Sequence, residues 1–245
     1  MSVLVVGASG ATGAHLLAQL LDRGEHVKAV IRTTGRLPQD IRDHTNLSLI
    51  VGNISEMSIK ELQNHLIDCH AVLSCLGHTL SFKGIYGQPR RLVTESVRHL
   101  CQAIEANNPA QPIKLVLMNT TGNRNRDLVE PISFAQHLVI GLLRLLLPPH
   151  VDNEQAADFL RTEIGQNHKC LEWAAVRPDG LIDLDDVSDY ELHPSPTRSA
   201  IFDAGQTSRI NVGCFMAELV TDDSLWEQWK GQMPVIYNKV AENSI

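Results

Sequence analysis

The chain has 245 residues, of which 43% are hydrophobic, and it carries a formal net charge of −7. This length suits one α/β domain with a sizeable core, and the negative charge argues against a nucleic-acid or anionic-membrane partner. No apolar stretch reaches the roughly 18–20 residues of a membrane span. The five cysteines lack CxxC spacing, which indicates reduced thiols and leads us to expect a cytoplasmic protein.

Short β-branched runs alternate with helical patterns along the chain. The predicted strands cover residues 3–6, 26–31, 47–51, 71–76, 113–118 and 171–176. The predicted helices cover residues 12–23, 90–106, 133–147, 152–166 and 212–220, and one more begins at the capping-box pair Ser58 and Glu61. Strands separated by helices of this length predict right-handed βαβ units and a doubly wound parallel sheet of the Rossmann type. We expect a single α/β domain over residues 1–245, with residues 182–245 as a small C-terminal lobe on the substrate side.

The stretch GASGATG, residues 7–13, joins the first predicted strand to the first helix. Here Gly7 permits a tight turn, Gly10 lets the backbone approach a pyrophosphate, and Gly13 lets the helix pack closely on the sheet. The helix N-terminus presents free N–H groups to the anion, and the Lys-Ser/Thr pair of a mononucleotide P-loop is missing. A purely structural glycine turn is the alternative. The predicted dinucleotide contacts from this loop are Gly7, Ser9, Gly10, Ala11, Thr12 and Gly13.

The end of the second strand discriminates between the two nicotinamide dinucleotides. NAD sites place an acidic residue there for the ribose hydroxyls, whereas this strand ends in Arg32, followed by Thr33. An arginine can hold the 2′-phosphate of NADP with its planar donor fork, and each such charged hydrogen bond is worth roughly 1.5–3 kcal/mol. The sequence therefore predicts NADP as the cofactor, with a solvent-exposed arginine as the alternative.

Later strand ends add further predicted cofactor contacts, since parallel strands direct their carboxyl ends to one edge of the sheet. A Gly-Asn pair follows the third strand, where it can reach the adenine, and Cys-Leu-Gly follows the fourth, beside the pyrophosphate. Asn-Thr-Thr-Gly follows the fifth strand near the expected nicotinamide, and Val-Arg-Pro ends the sixth. The predicted contacts from these turns are Gly52, Asn53, Cys75, Leu76, Gly77, Asn119, Thr120, Arg177 and Pro178.

Taken together, these motifs resemble the atypical branch of the short-chain dehydrogenase/reductase superfamily. The resemblance is closest to its NAD(P)H-binding members, the NmrA-like and the biliverdin- and flavin-reductase-like proteins, and it extends in order over roughly residues 1–182. The chain departs from the superfamily in its catalytic residues. It lacks the Tyr-x-x-x-Lys pair after the fifth strand, since residues 122–170 contain no tyrosine. The usual proton donor of these dehydrogenases is therefore missing.

The missing pair limits the chemistry that we expect. Reduction of a simple ketone yields an alkoxide that needs a nearby acid, whereas a quinone, flavin or enone spreads the negative charge. We therefore predict an NADPH-dependent reductase of a conjugated small molecule, with Thr120, Thr121 and Tyr86 as candidate catalytic residues and His78 near the mouth of the site. The two threonines could instead only bind cofactor or end the strand. The alternative function, implied by the NmrA-like resemblance, is a non-catalytic NADP(H) sensor that binds a protein partner.

The most apolar stretch, residues 137–150, is interrupted by Arg144 and ended by two prolines. It predicts a buried or pocket-lining helix, with membrane contact as the alternative. The positions that fit a substrate-pocket wall and plain core packing equally well are Leu138, Ile140, Leu142 and Leu143. The acidic residues expected to cap and solvate the next helix, rather than to bind a metal, are Asp152, Glu154 and Asp158. No metal site is predicted.

Overall fold

The computed structural model describes residues 1–79, 81–130 and 133–239. The strands are β1 Ser2–Val6, β2 His26–Ile31, β3 Leu47–Val51, β4 Cys69–Ser74, β5 Ile113–Met118, β6 Leu171–Pro178, β7 Gly180–Ile182, β8 Tyr190–His193, β9 Gln206–Ser208 and β10 Val235–Asn238. The α-helices are α1 Ala11–Asp22, α2 Gln39–Arg42, α3 Ile59–Leu66, α4 Phe82–Tyr86, α5 Leu92–Asn107, α6 Phe134–Leu146, α7 Pro148–Phe159, α8 Arg209–Thr221 and α9 Asp223–Trp229. A π-helical turn, Leu160–Ile164, continues α7.

Eight of these strands form one sheet in the order β3-β2-β1-β4-β5-β6-β10-β8, while β7 and β9 pair separately. In the large sheet all neighbouring strands are parallel except β8, which runs antiparallel to β10. The strand order reverses between β1 and β4. Open parallel sheets bind ligands beyond the carboxyl ends of the strands at such a reversal. The doubly wound parallel sheet predicted from the sequence is confirmed.

Helices cover both faces of the sheet, and side chains alternate along each strand, so the apolar residues fall into two cores. On β1, Val3 and Val5 pack in the core that α1 and α8 cover. Leu4 and Val6 pack in the opposite core, which α3, α5 and α7 cover. Because both faces are covered, the central strands read in the sequence as continuous apolar runs rather than as an alternating pattern.

Local sequence signals position the early helices as predicted. Helix α1 begins at Ala11, within the glycine stretch and directly after Gly10, and ends just before Gly24, whose φ is +80°. The capping box of α3 is confirmed: the Ser58 hydroxyl accepts a hydrogen bond from the Glu61 backbone N–H, and the Glu61 carboxylate accepts one from the Ser58 backbone N–H at 2.8 Å. The leucines that α1 buries are Leu16, Leu17, Leu20 and Leu21.

The segment expected to form a small C-terminal lobe is instead built into the sheet. Strand β10 lies beside β6, where Val235 pairs with Arg177, and β8 pairs with the other side of β10. Helix α8 packs directly on α1: a Cβ added to Gly213 would lie 2.8 Å from the Leu16 nitrogen. The sequence pattern missed this arrangement because β8 and β10 are four-residue strands, too short to show a periodicity.

Helix α6 contradicts the expectation of burial. Ile140 is the one buried residue of this helix, whereas Leu138 and Leu142 are 62% and 51% exposed. The interrupting Arg144 forms a two-point ion pair with Glu154, with both distances 2.8 Å. Within the described residues no single helix is long and apolar enough to cross a membrane. Phe134–Leu146 and Pro148–Ile164 together would suffice by length and composition alone, but this pair is bent by 104°.

Candidate functional site

A cleft of about 590 Å³ lies at the carboxyl ends of β1, β2, β3 and β4. Four turns that are far apart in the sequence converge on it, because the parallel strands end at the same edge of the sheet. The predicted residues that line the cleft are Gly7, Ser9, Gly10, Ala11, Thr12, Arg32, Gly52, Asn53, Cys75, Leu76 and Gly77.

The three glycines of the loop have different structural roles. Gly7 has a φ of +77°, and a Cβ there would lie 2.6 Å from the carbonyl carbon of Cys75. A Cβ on Gly13 would collide with the carbonyl oxygen of Gly7, so Gly13 lies behind the loop and does not line the cleft. Gly10 has ordinary backbone angles, and the nearest atom to an added Cβ is 3.2 Å away. Gly7 and Gly13 therefore shape the loop, while Gly10 leaves space for a ligand.

Positive charge dominates the cleft. Arg32, Arg36 and Lys83 line it, and its described lining contains no aspartate or glutamate. Helix α1 also begins here, and its first residue follows Gly10, which provides no side-chain cap. The free N–H groups and the positive end of the helix dipole add to the positive potential. Thr33, in contrast, lies outside the lining. The cleft is thus suited to an anion with several negative charges.

The thiol of Cys75 is unsuited to acid–base or nucleophilic chemistry. Burial raises the pKa of the Cys75 thiol to about 12, and its sulfur lies 3.8 Å from that of Met216. A thiol with this pKa stays protonated at neutral pH and is a poor nucleophile. Cys75 therefore contributes its backbone to the turn after β4.

A buried His78–Asp152 pair ties the turn after β4 to α7. The His78 Nε2 atom lies 2.8 Å from the Asp152 carboxylate, and Nδ1 lies 3.1 Å from the Gly84 carbonyl oxygen. Two acceptors require an N–H at both ring nitrogens, and the hydrogen bond to Asp152 accordingly raises the pKa of His78. His78 lines the cleft, and nothing in the sequence linked it to Asp152.

The environment of Asp152 corrects the expectation that it caps its own helix at the surface. Asp152 is 1% exposed and accepts hydrogen bonds from the backbone N–H groups of Val93 and Thr94, which begin α5. Burial works to raise the pKa of Asp152, but hydrogen bonds from His78, Thr94 and Val93 outweigh it and lower the pKa. Its carboxylate thus caps a neighbouring helix. In the described part of the chain no three His, Cys, Asp or Glu residues are grouped to hold a metal ion.

The polar residues after β5 divide into two environments. The Asn119 side chain donates to the Asn153 carbonyl oxygen at 3.0 Å and accepts from the Thr120 backbone N–H at 2.9 Å. The Thr120 hydroxyl accepts from the Gly122 N–H at 3.2 Å, which leaves its own proton available. The Thr121 hydroxyl donates to the buried Asp179 carboxylate at 3.0 Å. Thr120 is therefore the better proton donor, whereas the proton of Thr121 is already engaged.

A second cavity, of about 410 Å³, begins at this turn. Thr121 and Gly122 form one side, α6 contributes Gln136 and Ile140, and residues 196–202 close the other side. Two arginines, Arg124 and Arg198, also line it. Ile140 is thus the one residue of the predicted apolar wall that reaches a cavity, and the residues around it are largely polar.

Arg177 has a structural role that the Val-Arg-Pro motif did not predict. Its guanidinium is fully buried and paired with Glu130 at 2.8 Å. The remaining donors bond to the carbonyl oxygens of Met233, Asn123 and Pro194. No donor is left for a ligand, which corrects the expectation that this side chain contacts the cofactor. Pro178 ends β6 and lies outside the lining of both cavities.

Tyr86 also lies outside both cavities. Its hydroxyl donates to the Leu146 carbonyl oxygen at 3.1 Å, and its ring packs on Phe82. The phenol thus connects α4 to the end of α6. As the proton is donated to a carbonyl away from the cleft, the geometry opposes the candidate catalytic role of Tyr86.

His150 is a candidate that the sequence analysis missed. A Cβ on Gly122 would lie 3.4 Å from the His150 ring, so the imidazole packs directly on the turn after β5. Its side chain is 11% exposed, and Glu154 lies 3.6 Å away. Burial lowers the pKa of His150. No pattern in the sequence indicates this position, because α7 brings His150 to the turn only through tertiary packing.

The sequence model of a family described as NAD(P)H-binding matches residues 7–223. The match spans the glycine loop, both cavities and α8. No curated protein matches the sequence significantly.

Solved structures share the fold over nearly the whole chain. ChuY, an anaerobillin reductase from Escherichia coli O157:H7, is 16% identical, covers 100% of both chains and has a TM-score of 0.67. A short-chain dehydrogenase/reductase from Veillonella parvula DSM 2008 in complex with NADP is 18% identical, with 97% of this chain and 94% of that chain covered and a TM-score of 0.68. The oxidoreductase ylbE from Lactococcus lactis is 17% identical, with 98% and 91% covered and a TM-score of 0.68. At these identities the likeness establishes the fold.

Proposed function

Since the chain belongs to the NAD(P)H-binding family, we propose that it is an NADPH-dependent reductase of a conjugated small-molecule acceptor, of the quinone, flavin or enone type. One observation carries the proposal: the cleft combines the glycine loop with Arg32, Arg36 and Lys83 and has no acidic residue in its described lining. Polyphosphate is the ligand chemistry that such a lining favours. NADPH, when bound, supplies the hydride.

The preference for NADP over NAD rests on Arg32. Its side chain is exposed at the end of β2 and lines the cleft beside Arg36. A guanidinium can pair with a 2′-phosphate, whereas it offers an unphosphorylated ribose no comparable partner. The solved relative from Veillonella parvula in complex with NADP is consistent with this choice.

The choice of a conjugated acceptor rests on the proton donors that the site offers. None of the three tyrosines lines the cleft or the second cavity. The Thr120 hydroxyl and the His150 imidazole lie at the turn after β5 beside the lining residues Thr121 and Gly122, although neither is itself in the described lining of a cavity. They are weaker substitutes for the missing Tyr/Lys pair. They suffice for an acceptor that delocalises the incoming charge, and they disfavour simple ketones. The second cavity, which begins at the same turn, would hold the acceptor.

A non-catalytic NADP(H) sensor is the second candidate, and the surface of α6 favours it. Phe134, Leu138 and Leu145 are 83%, 62% and 78% exposed. Exposed apolar side chains in one contiguous patch are typical of protein-interaction sites. A sensor would bind NADPH tightly but would not oxidise it, whichever acceptor is supplied. This difference separates the two candidates.

The decisive experiment titrates NADPH and NADH against the wild type and the Arg32→Ala variant. We expect NADPH to bind more tightly, and Arg32→Ala to reduce that preference by about tenfold or more, since a charged hydrogen bond is lost. Arg98→Ala is the matched control, because Arg98 pairs with Glu163 outside the cleft. Equal affinity of the wild type for both coenzymes would remove Arg32 from this role.

The reaction itself is tested by NADPH oxidation with a panel of acceptors, followed by absorbance. We expect slow turnover with quinones or flavins and little with aliphatic ketones. Efficient turnover of a simple ketone would mean that a strong proton donor had been missed. Tight NADPH binding with no turnover of any acceptor would favour the sensor.

A further inference from the structure

The charged side chains that line the second cavity are Glu130, Arg198 and Arg124, and the first to consider is Glu130. This carboxylate lines the cavity but is only 4% exposed. It accepts two hydrogen bonds from Arg177, at 3.2 and 2.8 Å, and one from the Asn125 backbone N–H at 2.9 Å. Its negative charge is therefore matched by a cation that points away from any ligand.

The second charged pair at the cavity is Arg198 with Asp203. The Arg198 guanidinium donates two hydrogen bonds to the Asp203 carboxylate, at 3.1 and 2.6 Å. Asp203 thus neutralises Arg198 with the same two-point geometry that an anionic ligand would use. Arg198 is poorly placed to recognise another anion without giving up this partner.

Arg124 is the cavity cation that no carboxylate matches. It donates one hydrogen bond, from Nη2 to the Glu130 carbonyl oxygen at 2.9 Å, and no described carboxylate lies within ion-pair distance of it. The two carboxylates nearest to Arg124 in the sequence are paired elsewhere: Asp127 with Arg161 and Glu130 with Arg177. The Nε of Arg124 is enclosed and has no described partner. Arg124 is half-buried, and because withdrawing an unmatched charge from water is costly, this arrangement favours an anion in the cavity.

The position of the cavity connects this charge to the proposed reaction. Thr121 and Gly122 belong both to its wall and to the turn after β5, and β5 lies next to β4, whose turn lines the NAD(P)H cleft. The volume of about 410 Å³ is in the range of small-molecule sites. A planar acceptor could lie at the turn while a charged substituent extends to Arg124.

We propose that the second cavity recognises an anionic substituent, a carboxylate or a phosphate, of the conjugated acceptor, and that Arg124 is the residue that determines this specificity. This proposal rests on the proposed function for its location at the reacting end. Its test is a binding measurement, which does not depend on turnover.

The probes are two matched pairs that differ in one anionic group. FMN and riboflavin differ by a phosphate, and anthraquinone-2-carboxylate and its methyl ester differ by a charged carboxylate. Affinities for the protein saturated with NADP are measured by fluorescence, together with the KM of each acceptor that turns over. In the wild type we expect the anionic member of at least one pair to bind about tenfold or more tightly, in keeping with a charged hydrogen bond. The pair that shows it identifies the source of the anion.

Three variants separate recognition from structure. Arg124→Gln should abolish the preference and leave the affinity for the neutral probes unchanged, while Arg124→Lys should retain part of it. Arg198→Gln, in the same cavity, should change affinities by about fivefold at most, the scale of an exposed ion pair. Unchanged NADPH binding in each variant verifies the fold.

Equal affinities within both pairs, absence of binding by all four probes, or equal weakening of charged and neutral probes by Arg124→Gln would each overturn the proposal. A different result would refute the proposed function: acceptors that bind to the protein but do not oxidise NADPH. An anion preference in binding without turnover would keep the Arg124 site and refute the reductase.

Discussion

The two cavities of this protein are built in different ways. The cleft is lined mainly by turns that directly follow β1, β2, β3 and β4, and five of its lining residues are glycines. The second cavity is lined by residues from positions 121–140 and 196–202, most of them polar side chains on loops and α6. Strand topology places most of the cleft, and residues between 83 and 92 complete its lining. The second cavity depends on packing between segments that are far apart in the sequence.

The charged residues that line the two cavities also differ. The cleft gathers three cations and has no described acid in its lining, which suits a polyphosphate of fixed chemistry. The second cavity contains matched pairs and one unmatched arginine, Arg124. We infer that the cleft binds the cofactor, whereas the side chains of the second cavity discriminate among acceptors.

The largest expected effect comes from a side chain added at Gly10, where the backbone of the glycine loop leaves space for a pyrophosphate. Gly10→Val should abolish NADPH binding while the protein stays folded, because the side chain fills the space left for the pyrophosphate but meets no atom closer than 3.2 Å at its Cβ. Calorimetry and circular dichroism measure the two properties. Gly35→Val is the control, since a Cβ there has no neighbour within 4 Å and Gly35 lies outside the lining. Retained NADPH binding would mean that the loop is only a structural turn.

The next effect concerns the side-chain framework of the second cavity. Arg177→Met should lower the free energy of unfolding by about 3–5 kcal/mol, since it leaves the buried Glu130 carboxylate unpaired. Arg198→Met removes a partly exposed pair and should cost about 1 kcal/mol or less. Urea unfolding of both variants measures the difference. Similar losses in the two variants would show that the Arg177–Glu130 pair does not organise this region.

A smaller effect distinguishes the two threonines of the turn after β5. Thr120→Val should lower kcat with NADPH by about tenfold, at the low end for loss of a proton donor, and leave NADPH affinity unchanged. Thr121→Val should instead lower stability by about 1–3 kcal/mol, because it removes the hydrogen bond to buried Asp179. Steady-state kinetics and urea unfolding on both variants separate these outcomes. A loss of kcat in Thr121→Val alone would assign the proton donor to the second cavity.

The smallest effect tests the link between the cleft and α7. The pKa of His78 is raised in the folded protein, so its stabilising contribution is complete below the ordinary value of 6.5 and is lost as the pH rises through the folded pKa. The difference in unfolding free energy between wild type and His78→Gln should therefore shrink as the pH increases above 6.5. A difference that is constant across this range would mean that His78 does not bind Asp152 as an imidazolium.

Much of the first half of the chain could be predicted from short-range patterns. The leucine spacing of α1, the capping box at Ser58 and the glycine loop are each set by neighbours within a few residues, and all three are confirmed. Helix α6 shows where such patterns fail. Its composition predicted burial, but hydrophobicity cannot tell which face of a helix packs against the core, and Ile140 is the one residue of α6 that is buried.

The sequence by itself determined the Rossmann architecture and placed eleven of its predicted residues in the lining of the cleft, because strand periodicity, helix caps and glycine turns are local, and a parallel sheet then brings successive turns to one edge. Tertiary structure alone decided the partners of the buried polar residues. Arg177 lies in a motif that suggested cofactor contact, yet it pairs with Glu130, 47 residues away, and Asp152 caps a helix 58 residues away. A buried charge pairs with an opposite charge or an N–H group that packing places beside it. The spacing of residues in the sequence does not specify which partner that is.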